Sequence, residues 1–359
     1  MHSKNLVGVI LAICVSLVGC GGGGSSNTGP SGGTSSGNSG SGTNTGGSTG
    51  TGTGTGNSSS TIVTSVPAAT YTANSANATI YAQMNTIRLA IGAGLLTENA
   101  DLDKSAAAHL NYLALNGIAD PSFHVEASGQ TGFTGVNPSD RMTVAGYSFS
   151  MSGESGFSAL TAGAAQAQCV NSWADSVYHV QTLLVGYRDV GVAAGDNALV
   201  SSPSITASTC VVDLGVQLNV QPQYPASGVV LTYPYNGQTG VATSFNNQDE
   251  SPTPVPDLNG VGQPITVNLS AAVSSVTTFT LTAAGATVPT RILAPSGTTG
   301  PGVVIDGNIN VNFVTLVPIS ALSANTTYTV TFSGVANGTP MTRTWSFTTG
   351  ATGNSTTNI

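Results

Sequence analysis

The stretch FHVEASGQTGFTGVNPSDRMTVAGY, residues 123–147, decides how the first half of this chain is interpreted. It places His124 two residues before Glu126, in a chain of 359 residues with four histidines and only 6% charged residues. Glu126 is interpreted as a loop acid in solvent, with the alternative that it orients the His124 imidazole. Asp140 and Arg141 are interpreted as an ion pair that pins the loop in which they lie. This concentration of ionisable groups is unusual in a chain with so few charges.

The segments around this stretch combine helical and strand patterns. Residues 76–92 and 101–117 carry apolar residues at steps of three and four, which is typical of amphipathic helices, and a third helix is predicted over about 158–179. Strand patterns follow in DVGVAAG, NALVSS and TCVVDLGVQLNV. Helices followed by strands predict an α+β domain or a three-layer sandwich over residues 70–222.

From about residue 224 the pattern changes to short β-rich runs separated by turn residues, without a helical period. The runs are GVVLTYPY, ITVNL, TTFTLTA, VPTRILA, NINVNFVTLV, TTYTVTFSG and TRTWSFTTG. The last two, with the preceding LSAN, resemble the end of bacterial Ig-like domains, and Tyr328 lies where a tyrosine corner is expected. Residues 224–350 are therefore predicted to form an all-β, Ig-like sandwich.

The N-terminal segment MHSKNLVGVILAICVSLVGC, residues 1–20, has a lysine followed by an apolar run too short to cross a bilayer. Its ending LVGC resembles the lipobox of bacterial lipoproteins, which implies cleavage before Cys20 and lipidation of that residue. The alternative is an ordinary secretory signal with an incidental cysteine. Residues 21–60 are mainly Gly, Ser and Thr, which predicts a disordered, flexible tether. We expect a lipid-anchored protein of the cell envelope, at the outer membrane or the cell surface.

The composition limits the partners of this chain. With 7 Lys and Arg residues and a formal net charge of −8, it cannot neutralise a phosphate backbone, so no nucleic-acid partner is expected. No polybasic segment exists to bind anionic lipid headgroups either. Membrane attachment is therefore expected only through a lipid on Cys20.

Two cysteines remain beyond the N-terminal segment, Cys169 and Cys210. In an exported, oxidising environment, two remaining cysteines most simply form a disulfide bond, which we predict here. A metal site would need more soft ligands nearby, and a catalytic thiol would need a low pKa that sequence does not reveal.

Short motifs occur in a fixed order along the first half: MNTIR, GLLTENADLDKSAAAHLNYL, the stretch 123–147, SGES, VNSWADSVYHVQTLL and RDVGVA. This order resembles the bacterial branch of the CAP superfamily, the SCP-like extracellular proteins. The resemblance implies an α-β-α sandwich with a cleft, lined by His and Glu side chains, that often binds a divalent cation. The matching residues are His124, Glu154 and His179, and two imidazoles with one carboxylate suit Zn²⁺ or a similar ion.

The chain also departs from the pattern of that family. GES stands for the usual GEN, YHV stands for GHR, and the last strand lacks the histidine that eukaryotic members place there. Asp213 in this strand is a candidate substitute for that histidine. His109, next to an apolar helix face, is interpreted as a packed core residue, with the alternative that it is a ligand.

Three functions follow as hypotheses. The first is a surface lipoprotein whose non-catalytic or weakly catalytic cleft binds a small ligand, such as a lipid or a sterol, beside an Ig-like spacer or adhesion domain. The second is a metal-assisted hydrolase of protein or envelope polymer with Glu154 as general base. The third is a purely structural protein of the envelope.

Overall fold

The computed structural model describes residues 62–117, 123–199, 202–351 and 353. The predicted signal segment 1–20 with its lipidated Cys20, and the predicted tether 21–60, lie outside these ranges and stay predictions. Among the helices within these ranges, none combines the length and apolar character that a bilayer-spanning helix requires.

The N-terminal half is built on a four-stranded sheet. Its strands are β1 (Thr97–Glu98), β2 (Phe149–Ala159), β3 (Asp189–Leu199) and β4 (Ser202–Gln217), in the spatial order β1-β3-β4-β2. The short β1 pairs with β3 in parallel, and the other neighbours are antiparallel. Five helices accompany the sheet: α1 (Ala76–Ile91), α2 (Ala100–Asn116), α3 (Pro138–Ala145), α4 (Ala164–Ala174) and α5 (Val180–Leu184).

Alternating residues of the two central strands bury opposite faces of this sheet. Val192 and Val212 belong to the core that includes α1 and α4. Ala193 and Val211, one residue away, pack in a separate cluster with α2. The period of two in a strand thus gives the sheet a helical layer on each face, which agrees with the predicted α+β class.

Helix α1 forms where the sequence predicts it. Ser75 accepts a hydrogen bond from the Ala78 N–H at 3.2 Å, and Gly92 ends the helix with a left-handed φ of 83°. The predicted apolar stripe is buried: Ile80, Met84, Ile87 and Ile91.

Two sequence predictions for the helices of this half are wrong. The segment after Pro138 is helix α3 and not a loop, because Asn137 precedes a proline at the first helical position and its N–H donates to Asp140 Oδ2 at 2.9 Å. The third helix was predicted to begin too early, since the chain is still in strand β2 at Ala159 and α4 begins only at Ala164.

The C-terminal half consists of two mainly antiparallel sheets, and each of the seven predicted runs overlaps a strand. The first sheet has the order β10-β9-β11-β6-β5 and the second β13-β12-β7-β8. Tyr328 is buried and its hydroxyl accepts the Ser323 N–H at 2.8 Å, a bond to backbone slightly upstream, as at a tyrosine corner. The strands are β5 (Leu231–Tyr233), β6 (Ile265–Asn268), β7 (Val273–Ala283), β8 (Ala286–Val288), β9 (Thr290–Ala294), β10 (Val303–Ile305), β11 (Phe313–Pro318), β12 (Thr327–Ala336) and β13 (Thr339–Thr348).

The largest core of the molecule extends through both halves. Buried residues of α1, α4 and α5 lie in one hydrophobic cluster with Tyr233 of β5 and with Phe313 and Val317 of β11. The β-rich half therefore shares apolar burial with the first half, in addition to its own core between the two sheets.

The packing of α2 onto β3 predicts a specific cost for one added methyl group. A Cβ at Gly191 would meet the backbone of Leu102 and Asp103, which cannot rotate away. We expect Gly191→Ala to lower the free energy of unfolding by about 1–3 kcal/mol, as overpacked sites do.

The matched control is Gly195→Ala on the same strand, where an added Cβ meets no atom within 4 Å. Denaturant unfolding of both variants checks the prediction. Equal midpoints for the two variants would mean that α2 does not approach β3 as closely as described.

Candidate functional site

A buried hydrogen-bond network joins His124, Glu154 and Arg141. Glu154 lies in the middle of strand β2, and its Oε1 is 2.7 Å from His124 Nδ1. Arg141, on helix α3, donates to Glu154 Oε2 at 2.6 Å and to the carbonyl of His124 at 3.1 Å. The predicted pair of Asp140 and Arg141 is therefore wrong, because Asp140 caps α3 while Arg141 turns inward to the buried carboxylate.

Charge and burial in this network determine which ring nitrogen of His124 carries the proton. Burial alone would raise the pKa of Glu154, but Arg141, His109 and the hydrogen bond from His124 outweigh it and hold that pKa well below its usual range. Burial lowers the pKa of His124, against the opposing effect of Glu154. A neutral His124 thus donates its Nδ1–H to the carboxylate and keeps a lone pair on Nε2.

Glu126 is buried, with 1% of its surface exposed, so the prediction of a solvated loop acid is wrong. Its Oε1 lies 2.9 Å from His109 Nδ1, and its Oε2 accepts the Thr134 N–H at 2.7 Å. His109 Nε2 lies 2.8 Å from the carbonyl of Phe123. Both ring nitrogens of His109 are engaged, so its role is structural, as its predicted core position suggests. Glu126 orients this histidine and not His124.

Asp213 faces Glu154 across the pair of strands β2 and β4. It is fully buried, and neither carboxyl oxygen has a hydrogen-bond partner among the described residues. Burial, followed by the charge of Glu154, raises the pKa of Asp213 well above its ordinary value. A carboxyl group that keeps its proton is a poor cation ligand, so this environment does not favour Asp213 as a substitute for the missing histidine.

The raised pKa of Asp213 predicts a pH-dependent stability difference. The folded state holds this proton where the unfolded chain has lost it, so Asp213 costs stability as pH rises above its ordinary pKa of 3.8. We expect Asp213→Asn to be more stable than the wild type at pH 8 and to lose this advantage near pH 4.

Denaturant unfolding of both proteins at the two pH values measures the difference. Ser158→Ala, which changes a hydroxyl between the same two strands, serves as the control because its effect should not depend on pH. A constant difference between Asp213→Asn and the wild type would contradict the shifted pKa.

The third predicted residue, His179, is held by an acid that sequence reasoning missed. His179 immediately precedes α5 and is 5% exposed. Its Nδ1 lies 2.8 Å from Oε1 of Glu250, which is also buried and lies 71 residues later in the β-rich half. No local motif marks Glu250, because its partner is defined by how the two halves pack.

Two imidazole nitrogens of the site are available to a ligand. Nε2 of His124 and Nε2 of His179 are buried and have no hydrogen-bond partner among the described residues.

The predicted set of three metal ligands is not formed as such. Within the residues that the structure describes, no three His, Cys, Asp or Glu side chains are grouped to hold a metal ion. Both oxygens of Glu154 are engaged by His124 and Arg141, so this carboxylate orients the imidazole. The ligand atoms left for a cation are the two Nε2 atoms, each on a ring whose Nδ1 bonds a carboxylate, as in carboxylate–histidine–zinc sites.

The sequence of this region matches a known family. Residues 81–212 match the model of the family described as CAP, Cysteine-rich secretory protein family. This part of the chain is a CAP domain. The match contains His124, Glu154 and His179, and it ends before Asp213 and the β-rich half. A comparison with curated proteins finds no match to this chain.

The CAP domain also contains the predicted disulfide bond. Cys169 of α4 and Cys210 of β4 form a disulfide bond, which confirms the prediction that the two remaining cysteines pair. Both residues are fully buried on the α1–α4 side of the sheet, in the same cluster as Trp173. The bond therefore fixes a helix to the sheet and is separate from the network around Glu154.

A cavity of about 480 Å³ lies elsewhere in the CAP domain, between the start of α1, helix α2 and strand β3. Tyr71 and Asp103 line it and are joined by a hydrogen bond of 2.6 Å. Neither His124, Glu154 nor His179 lines this cavity, so it is not the cleft that the family resemblance predicts.

Proposed function

We propose that the CAP domain of this chain binds a small ligand or a divalent cation through Nε2 of His124 and His179, without catalysis. The observation that carries the proposal is the pair of buried imidazoles, each hydrogen-bonded at Nδ1 to a carboxylate and each with a free Nε2. Buried polar atoms normally have partners, and an exception calls for an explanation such as a bound water, an ion or a catalytic role.

A Zn²⁺ ion fits these donors. Neutral imidazole nitrogen is a preferred ligand of zinc, and a carboxylate on the other nitrogen fixes the tautomer that presents the lone pair. His124 and His179 would hold the ion, and Glu154 and Glu250 would orient them. Two protein ligands leave coordination positions for water or for a polar group of a small ligand, and a bound Zn²⁺ would supply Lewis-acid character there.

The hydrolase hypothesis receives less support from the contacts of Glu154. A general base must accept a proton, but both oxygens of Glu154 are engaged, and Arg141, against the effect of burial, helps to lower the pKa of this group. Glu154 is therefore suited to positioning His124. A purely structural role would leave two buried imidazole nitrogens without a purpose.

The proposal also covers where the protein is located and what its β-rich half does. A secretory family description and the predicted lipobox support a protein of the cell envelope, anchored at the outer membrane or cell surface through lipidated Cys20. For residues 224–350 we propose an Ig-like sandwich with a spacer or adhesion role. Its two packed sheets and the backbone bond of Tyr328 support this.

Isothermal titration of the full chain with Zn²⁺, and separately with phospholipid and sterol vesicles, tests the binding proposal. We expect saturable heat that is lost in His124→Ala and kept in Asp257→Asn, which removes an exposed carboxylate paired with Arg291. Absence of heat with every probe, or heat unchanged in His124→Ala, would refute it. Peptide or peptidoglycan turnover that disappears in Glu154→Gln would favour the hydrolase instead.

A further inference from the structure

We propose that the β-rich half completes the site of the CAP domain, with Glu250 as the positioning residue that fixes the orientation and tautomer of His179. This inference rests on the proposed function only in that Nε2 of His179 is taken to face the ligand. The inference gives the second half a role beyond that of a spacer. Glu250 lies outside the residues 81–212 that match the family.

Glu250 binds the segment before α5 through four donors. Its Oε2 accepts the Val177 N–H at 2.9 Å. Its Oε1 accepts the N–H groups of Tyr178 at 2.7 Å and His179 at 3.1 Å, and lies 2.8 Å from His179 Nδ1. With 2% of Glu250 exposed, water does not compete for these bonds. Such a dense set of N–H donors is the environment of an ionised carboxylate.

The tautomer of His179 follows from this geometry. An ionised carboxylate only accepts hydrogen bonds, so the proton of a neutral His179 lies on Nδ1 and its lone pair on Nε2. Among the described residues, the only recorded hydrogen bond of Nδ1 is the one to Glu250, and Nε2 has none. Among the described residues of the CAP domain, no acceptor is bonded to Nδ1 that would select this tautomer.

Other groups of the β-rich half bind the same short segment. Tyr178 donates its hydroxyl hydrogen to Asp306 at 2.7 Å, and the Asn310 N–H donates to Gln181 at 2.9 Å. At the two ends, side-chain amides donate to main-chain carbonyls: Gln263 to Ala174 at 3.2 Å and Asn268 to Leu184 at 2.8 Å. The position of His179 is thus set from the second half, which ties ligand binding to the packing of both halves.

The test reads the imidazole tautomers directly by two-bond nitrogen–proton correlation NMR on the full chain, without ligand. In the wild type we expect His179 protonated on Nδ1. In Glu250→Gln, which keeps the size but replaces one acceptor by an N–H donor, we expect loss of the pure Nδ1–H signal of His179. His109 and His124 should keep their signals, and Asp257→Asn should change none. Where the wild type binds Zn²⁺, Glu250→Gln should weaken it about 10- to 100-fold.

Two results would overturn the inference: a wild-type His179 protonated on Nε2, or a folded Glu250→Gln protein with the wild-type tautomer. If Glu250→Gln does not fold by circular dichroism, the wild-type spectrum alone decides, since an Nδ1–H ring supports the inference and an Nε2–H ring refutes it. Because the tautomer is measured without ligand, a failure of Zn²⁺ or lipid binding would refute the proposed function and leave this result standing.

Discussion

Replacing Arg141 with methionine is expected to lower the free energy of unfolding by about 3–5 kcal/mol. Arg141 is 1% exposed, and its guanidinium donates to Glu154 at 2.6 Å. Methionine fills much of the same volume but leaves the carboxylate of Glu154 buried beside Asp213 without its cation. The cost comes from that uncompensated charge, and it should shrink at low pH where Glu154 can take up a proton.

The matched control is Arg291→Met, which breaks a bidentate pair with Asp257 at the surface. That pair is exposed to solvent, with 58% of the Asp257 side chain accessible. Its loss should therefore change the free energy of unfolding little. Denaturant unfolding at neutral pH compares the two variants. Similar losses for both would show that the network around Glu154 is not the buried, tightly coupled unit described.

The second large effect is expected from the disulfide bond. Cys169 and Cys210 are 41 residues apart, and closing a loop of that length contributes about 4 kcal/mol in the chain-entropy account. The double variant with alanine at both positions should lose about that much stability. The local reason is that the bond ties α4 to β4 in the fully buried core.

A reductant provides the control for this prediction. Thermal unfolding of the wild type should shift to lower temperature when the protein is reduced, and the double alanine variant should show no further shift. If reductant leaves the wild type unchanged at full reduction of the bond, the disulfide does not stabilise this fold.

The parts of the fold that sequence predicts are those determined by local periodicity and by the number of available cysteines. The stripe at Ile80, Met84, Ile87 and Ile91 predicted the buried face of α1, because helical spacing alone decides which side is apolar. The pairing of Cys169 with Cys210 followed because only two cysteines remained. Helix α3 could also have been found, since Asn137 followed by proline and by Asp140 is a helix-start pattern.

The partners of the charged residues could not be predicted in the same way. Arg141 was assigned to its neighbour Asp140, yet from helix α3 it binds Glu154 on strand β2. Glu126 was placed in solvent, although it binds His109. Glu250 is the extreme case, because its contact with His179 exists only after the two halves pack. In a chain with few charges, burial decides the pairing, and sequence neighbours do not reveal it.

In the proposed site, His124 and His179 present their Nε2 atoms to one shared ligand. The most direct measurement is a Zn²⁺ titration of the full chain followed by the side-chain nitrogen signals of its histidines. We predict that the Nε2 signals of His124 and His179 move together and saturate at the same Zn²⁺ concentration, while His109, engaged at both nitrogens, stays unchanged. Separate saturation of the two rings, or no response from either, would contradict the account.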